Sequence, residues 1–205
     1  MKVTVVSMWA KNYSEIAEIT IPNLLSYCER HGYDFRSILL EDGNAYHFRK
    51  HEFFKELFET DVDVIFYLDV DCLITNHNIK VEDFINDTYC FYITKDVHEL
   101  NGGAVIIKND RAGRMLNDII LGERDMFENE QNVYNSFPMI TVGVEFMKIL
   151  NHPSINSYDY SLYPEYPNIR EREQGHWHEG DFVLHVPGAP MNVRIERLKN
   201  ATIIK

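Results

Sequence analysis

Basic residues are scarce in this chain of 205: 20 lysines and arginines stand against 32 aspartates and glutamates, a formal net charge of −12. That balance excludes a nucleic-acid footprint, because an acidic field repels phosphate and no basic patch interrupts it. An anionic ligand can still be held, but only with a cation or local donors at its site. Cysteine is scarce as well. The three present (Cys28, Cys72, Cys90) are odd in number, far apart and set among apolar neighbours. This argues against a disulfide framework and for buried free thiols in a reducing compartment, and the lack of a CxxC pair argues against structural zinc. No apolar run approaches the roughly 18 residues of a membrane span. The opening MKVTVVSMW enters a strand-like run directly, without the apolar core of a signal peptide. The expectation is a soluble, cytoplasmic chain with no membrane span. Repeats and low-complexity segments are also missing, and the length suits one domain.

What is present is an alternation of strand-like and helical segments. Val3–Ser7 is a β-branched run followed by a polar, aromatic loop at Met8–Tyr13. Residues 14–31 have helical character, with Ser14 as N-cap, Gly32 as the stop and Pro22 expected to kink or restart the helix. Strands are expected at Phe35–Leu40, Val62–Leu68, 88–94 and 103–108, with helices over 46–59 and from Arg111 to Leu121. The pattern predicts an α/β, Rossmann-like fold whose mostly parallel central sheet is flanked by helices. Asn, Pro, Tyr and His crowd residues 151–180, as in long ordered loops that border a site. One more strand is expected at Asp181–Val186.

The nearly all-apolar run at Val62–Leu68 reads as a strand covered on both faces, yet it ends in FYLDVDCLITN (66–76), with Asp69 and Asp71 two positions apart. Two carboxylates so placed on an extended chain lie roughly 6–7 Å apart on one side. At an effective dielectric near 20 they repel by roughly 2–3 kcal/mol. Three readings are open. One aspartate could cap a turn; the pair could be the nucleophile and general acid of a phosphatase; or both could bind a hard divalent cation, Mg²⁺ or Mn²⁺, with a histidine ligand favouring Mn²⁺. The strand end suits a site, since ligands of open α/β sheets bind beyond the carboxyl ends of strands. LDVDCLI superficially resembles the DxD strand end of haloacid-dehalogenase-type phosphatases, but there the motif follows the first strand and precedes Gly-Thr, whereas here it follows at least two αβ units and precedes Cys72-Leu73.

IFYLDVDCLITN resembles the strand and DxD motif of GT-A-fold glycosyltransferases. ELNGGAVIIKND (99–110), NEQNVYN (129–135) and EGDFVLHVPG (179–188) are similar, in order, to segments of the fungal mannosyl- and galactosyltransferase and plant xylosyltransferase family. SMW and YCERHGYDF fit that family's start, and the short chain also resembles a compact glycosyltransferase domain of large algal viruses. The resemblance implies a single GT-A domain over 1–205, with a nucleotide-sugar-binding half (1–110) and an acceptor-side half (111–205). It implies a metal-dependent hexosyltransferase using Mn²⁺ (or Mg²⁺) and a nucleoside-diphosphate sugar, UDP first, with a hydroxyl of a glycan or glycoprotein as acceptor. A non-catalytic nucleotide-sugar-binding or carbohydrate-binding domain is the alternative.

Carried over residue by residue, the resemblance makes Asp69, Asp71 and His185 the metal ligands. It assigns Ser7, Trp9 and Tyr13 to the nucleoside, Lys50 (or Arg49) to the donor, and Asn101, Gly102 and Gly103 to the sugar, with Val70 and Gly188 lining the donor site. Glu130 or Gln131 is expected beneath the anomeric carbon in a retaining reaction; in an inverting one, Asp96, Glu130 and Asp181 are candidate bases. A lysine expected shortly after His185 is missing from HVPGAPMNVR, where Met191 stands near its place and Arg194 is the available substitute. Tyr160, Tyr163, Tyr166, His176, Trp177 and His178 form either an acceptor platform or an irregular loop packed by its own rings.

Overall fold

A computed structural model describes residues 1–41, 46–96, 99–136, 147–150, 155–159, 162 and 176–205. The chain opens with β1 (Val3–Ala10), α1 (Ser14–His31), β2 (Asp34–Leu40), α2 (Tyr46–Leu57) and β3 (Val64–Asp69), then crosses in β4 (Cys72–Ile74) to a second sheet. Next come β5 (Phe91–Asp96), β6 (Glu99–Lys108), α3 (Arg111–Gly122) and α4 (Glu130–Ser136), followed by β7 (Met147–Leu150), β8 (Ser157–Tyr158), β9 (Val183–His185) and α5 (Met191–Lys199). The main sheet runs β2-β1-β3-β6-β5-β7. Five of these strands point the same way and β6 alone is reversed, being antiparallel to both β3 and β5. The mostly parallel, helix-flanked sheet expected from the sequence is therefore present. The smaller sheet runs β4-β9-β8.

β3 explains the central position of its apolar run. Ile65 and Tyr67 face one way, into a cluster with Phe54 of α2 and Leu116 of α3. Val64, Phe66 and Leu68 face the other way, against Leu24 and Tyr27 of α1 and Phe182. Burying both faces of a strand removes apolar area from water twice over, worth about 25 cal/mol per Å². α5 is joined to α1 by a third cluster in which Leu198 and Ile195 meet Ile16 and Ala17.

Several sequence boundaries move. β1 continues through Met8, Trp9 and Ala10, so the expected loop shrinks to a 3₁₀ turn at Lys11–Tyr13. Parallel pairing with β2 out to Ala10 carries the strand on. Ser14 is the first residue of α1, its hydroxyl donating to Lys11 O rather than capping the helix. The helix runs unbroken through Pro22 to the left-handed Gly32 (φ 69°). β6 starts at Glu99, so Asn101–Gly103 lie inside a strand, beside a register irregularity between Ile93 and Thr94, and not in a turn before it. The three cysteines are buried and form no disulfide, and no helix among the described residues is long and apolar enough to cross a membrane.

Candidate active site

The chain switches sheets at Asp69-Val70-Asp71, and this sends the two aspartates to different neighbours. Asp69 closes β3 and its Oδ1 accepts from Tyr67 OH at 2.6 Å, with Lys50 Nζ at 3.9 Å. Asp71 opens β4, whose first residue Cys72 lies opposite His185 of β9. That register brings His185 Nε2 within 3.3 Å of Asp71 Oδ1, while Arg194 Nη1 from α5 lies 3.1 Å from Asp71 Oδ2. Burial pushes the Asp71 carboxyl up, but His185 and then Arg194 outweigh it and hold the group below the usual carboxylate range. The repulsion expected between the aspartates is relieved by separate cationic partners on each.

His185 is buried against Gly103. A Cβ on that glycine would stand 2.2 Å from His185 Cε1, so the residue at 103 must lack one for the ring to fit. His185 Nδ1 is 3.3 Å from Asn156 Nδ2, and Nε2 makes no hydrogen bond among the described residues. A buried ring nitrogen without a hydrogen bond beside a buried carboxylate is the donor set a divalent cation takes. Cys72 Sγ is close enough to complete a three-atom cluster with Asp71 and His185. Its thiol donates to Gly103 O (3.4 Å), and burial raises its pKa well above the ordinary value, which makes it the least available of the three donors. Asp69 does not join that cluster; its carboxylate is turned to Tyr67 and Lys50.

The second half of the site is a buried ion pair. Lys50 Nζ lies 2.8 Å from Glu130 Oε1 and donates to Gly102 O at 2.8 Å, above the Tyr67 ring (4.6 Å). Burial works against its charge, but Glu130 and Asp69 prevail and raise its pKa. Glu130 answers in kind: burial pushes it up, while Lys50 and His47 pull it down to about 2. His47 Nδ1 lies 3.3 Å from Glu130 Oε2, and hydrogen bonding to Glu130 lifts the imidazole above its ordinary value. Gln131 Oε1 accepts from Gly102 N–H at 3.3 Å. Behind these, His51 bridges Asn117 of α3 and Tyr134 of α4.

A cleft of about 220 Å³ opens over this floor, lined among others by Trp9, Tyr13, His47, Lys50, Asp69, Val70, Asp71, Glu130 and Gln131. Of the expected residues, Trp9, Tyr13, Lys50, Asp69, Val70, Asp71, Glu130 and Gln131 line the cleft, while Gly102, Gly103 and His185 pack against those residues without lining it. Others stand apart. Ser7 is wholly buried in β1 and does not line the cleft. Arg49 is paired with Glu52 on the exposed side of α2. Lys50 lines the cleft, but its ammonium is taken up by Glu130, Gly102 and Asp69 rather than presented to a ligand. Asp96 holds Asn101 Nδ2 (2.8 Å), and Asn101 Oδ1 in turn accepts from Gly103 N–H. Asp181 accepts from His178 N–H at 2.7 Å and closes a turn, away from the cleft. Gly188 takes φ 74° and gives the chain its bend before α5. Trp177 donates to Thr75 Oγ1 and carries Arg197 over its ring at 4.6 Å; His176 and His178 stack edge to face on each other. Tyr160, Tyr163 and Tyr166 lie outside the described residues. His47 was missed: a lone histidine near a helix start carries no signal until its partner, more than eighty residues away, is known.

Residues 3–89 match the galactosyl transferase GMA12/MNN10 family. No curated protein sequence matches. Among solved structures, a glycosyltransferase involved in glycosylation of the major capsid of PBCV-1 is similar over 97% of this chain and 99% of its own, at 16% identity and TM-score 0.76. The glycosyltransferase GlyE of Streptococcus pneumoniae TIGR4 is similar over 97% of this chain and 60% of its own, at 14% identity and TM-score 0.61. The galactosyltransferase LgtC, solved with donor and acceptor sugar analogs, is similar over 98% of this chain and 97% of its own, at 13% identity and TM-score 0.57. The chain has the fold of the GT-A glycosyltransferases, and this likeness and the family match together support a role in glycosyl transfer.

Proposed function

We propose that the protein is a divalent-metal-dependent glycosyltransferase that moves a hexose from a nucleoside diphosphate, UDP first, to a hydroxyl of a glycan or glycoprotein. The observation that carries this reading is the Asp71–His185 pair: a buried carboxylate and an imidazole nitrogen without a hydrogen bond, 3.3 Å apart at the sheet switch point that opens into the cleft. Asp71 and His185 would hold the cation, Mn²⁺ or Mg²⁺, with the Asp69 carboxylate available nearby at the end of β3. When bound, the cation offsets the diphosphate charge and stabilises the departing nucleoside diphosphate as a Lewis acid. Residues 1–110 form the donor half and 111–205 the acceptor half of one domain.

The chain's own residues supply the rest. Trp9 and Tyr13 offer ring faces for the nucleobase at the rim. Asn101 and Gly102, between the metal pair and the Lys50–Glu130 pair, face the sugar. Gln131 lines the cleft with its Oε1 on Gly102 N–H, and an LgtC structure carries an active-site glutamine-to-glutamate change. Glu130, held ionised by Lys50, acts as a fixed negative charge that stabilises the positive character of the transferring sugar. It is a poor proton donor at any ordinary pH.

Screening UDP- and GDP-sugars for Mn²⁺-dependent hydrolysis, with NMR of the anomeric product, tests the proposal. Turnover should vanish with a chelator and in Asp71→Ala. Donor consumption that survives either, or sugar binding with no turnover on any acceptor, sinks it.

A further inference from the structure

The cleft's charges do not suit a diphosphate as they stand. Asp69, Asp71 and Glu130 line it, and Lys50, the one lysine lining it among the described residues, is already bound to Glu130 and Gly102. Arg194 is the cation placed to serve both states of the site. Its Nη1 is 3.1 Å from Asp71 Oδ2, its Nε donates to Ala189 O, and its guanidinium lies over the Tyr13 ring at 5.4 Å. Tyr13 itself lines the cleft. The nearby basic side chain of α5, Arg197, is held by Asp159.

We propose that Arg194 is the resident counter-ion of Asp71, exchanged for a divalent cation when a nucleoside diphosphate binds, so that cation and diphosphate bind cooperatively. This rests on the metal-site reading above. A carboxylate as buried as Asp71, 7% exposed, needs a compensating charge at all times. Without a cation, Arg194 on Oδ2 provides it together with His185 on Oδ1, and of the two only Arg194 has to leave when a cation takes the carboxylate. A divalent cation on Asp71 and a guanidinium 3.1 Å from the same carboxylate repel each other, so the cation alone has to displace the arginine with nothing to receive it. A diphosphate supplies that receiver. The guanidinium fork matches phosphate oxygens in a two-pronged contact, and the Tyr13 face guides the short swing from Asp71 into the cleft. Each ligand therefore removes an obstacle to the other, and the coupling is reciprocal.

Calorimetric titration of Mn²⁺ alone, UDP alone, and UDP with saturating Mn²⁺, in wild type and Arg194→Gln, separates the possibilities. In Arg194→Gln, Mn²⁺ alone should bind about tenfold tighter and UDP with Mn²⁺ about tenfold weaker, with the coupling between them reduced. Unchanged Mn²⁺ affinity, or weaker binding of both ligands, makes Arg194 a strut and overturns the inference. If Arg194→Gln does not fold, Arg194→Lys should show the same two opposite changes at smaller size; no change in either overturns it equally. Wild type that takes up no Mn²⁺ even with UDP overturns the metal-site reading itself, a separate outcome.

Discussion

Lys50 Nζ lies 2.8 Å from Glu130 Oε1, with the two side chains 5% and 3% exposed. The pair ties α2 to the start of α4 directly beneath Asp69. Removing one partner leaves an uncompensated buried charge, which costs about 3–5 kcal/mol. Lys50→Met should therefore be the most destabilising single change at the site. Glu130 has a folded pKa of about 2 against an ordinary 4.5. A depressed carboxyl contributes stability above its unfolded pKa and loses it as pH falls through the folded one. That contribution is about 3 kcal/mol. Denaturant melts from pH 5 down to pH 2 should show wild type losing stability across that window, and Glu130→Gln losing less.

His51 makes a second pH prediction in a different window. Asn117 Nδ2 donates to His51 O at 2.9 Å, which turns Asn117 Oδ1 to accept from the ring Nδ1–H at 2.6 Å. The remaining Nε2 accepts from Tyr134 OH, whose own pKa burial raises well above the ordinary value. Both nitrogens are satisfied in the neutral ring, and burial lowers the His51 pKa from 6.5 to about 4. A depressed histidine is fully stabilising above 6.5 and costs stability as pH falls toward 4, because the unfolded chain takes up the proton first. The loss is about 3 kcal/mol. The difference in stability between pH 7 and pH 4.5 should shrink in His51→Gln; an equal difference in both proteins refutes the assignment.

How much of this was legible beforehand follows the range of each interaction. An apolar run ending in two carboxylates announced β3 and a site at its end, because strand burial and strand ends are local signals. His185 and Gln131 came from motif resemblance over distant segments. The reversal of β6 had no local signal, and its expected start at 103 was late, since β6 begins at Glu99 and takes in Asn101 and Gly102. In the structure Gly102 and Gly103 are there for space: side chains from Lys50, Glu130 and His185 fill the positions where their Cβ atoms would stand. The pairing of Lys50 with Glu130, of His47 with the same carboxylate, and of Arg194 with Asp71 joins residues far apart in sequence. Each was individually indistinguishable from a solvated surface charge. Ser7 is the opposite case: a small polar residue fits a buried strand as easily as a site, and here it is buried in β1 and does not line the cleft.

Gly103→Ala tests the fit of the histidine. The new methyl would fall 2.2 Å from His185 Cε1 and 2.9 Å from Asn101 Oδ1, so the ring has to leave its place. Overpacking of this kind costs about 1–3 kcal/mol, and Mn²⁺ affinity in the presence of UDP should drop with it. Gly32→Ala serves as the contrast. Nothing lies within 4 Å of its Cβ position, and only the left-handed φ of 69° is strained, for about 1 kcal/mol. Its Mn²⁺ affinity should match wild type.

Asn156 holds the far side of the same ring. Its Nδ2 lies 2.8 Å from Tyr158 OH and 3.3 Å from His185 Nδ1, while its Oδ1, also buried, makes no hydrogen bond among the described residues. In this arrangement His185 Nδ1 carries a lone pair and Nε2 the proton, which blocks Nε2 as a ligand. A half-turn of the amide exchanges its oxygen and nitrogen. The oxygen then accepts from both Tyr158 OH and a His185 Nδ1–H, leaving the Nε2 lone pair for a cation. Groups that fix a ligating histidine in this way are worth about 10–100-fold in metal affinity. Asn156→Leu, which cannot accept the Nδ1–H bond, should weaken Mn²⁺ binding in the presence of UDP by that factor, whereas Asn156→Asp, an acceptor on both oxygens, should preserve or strengthen it. Equal Mn²⁺ affinities in the two variants by titration would show that the amide takes no part in setting the histidine's tautomer.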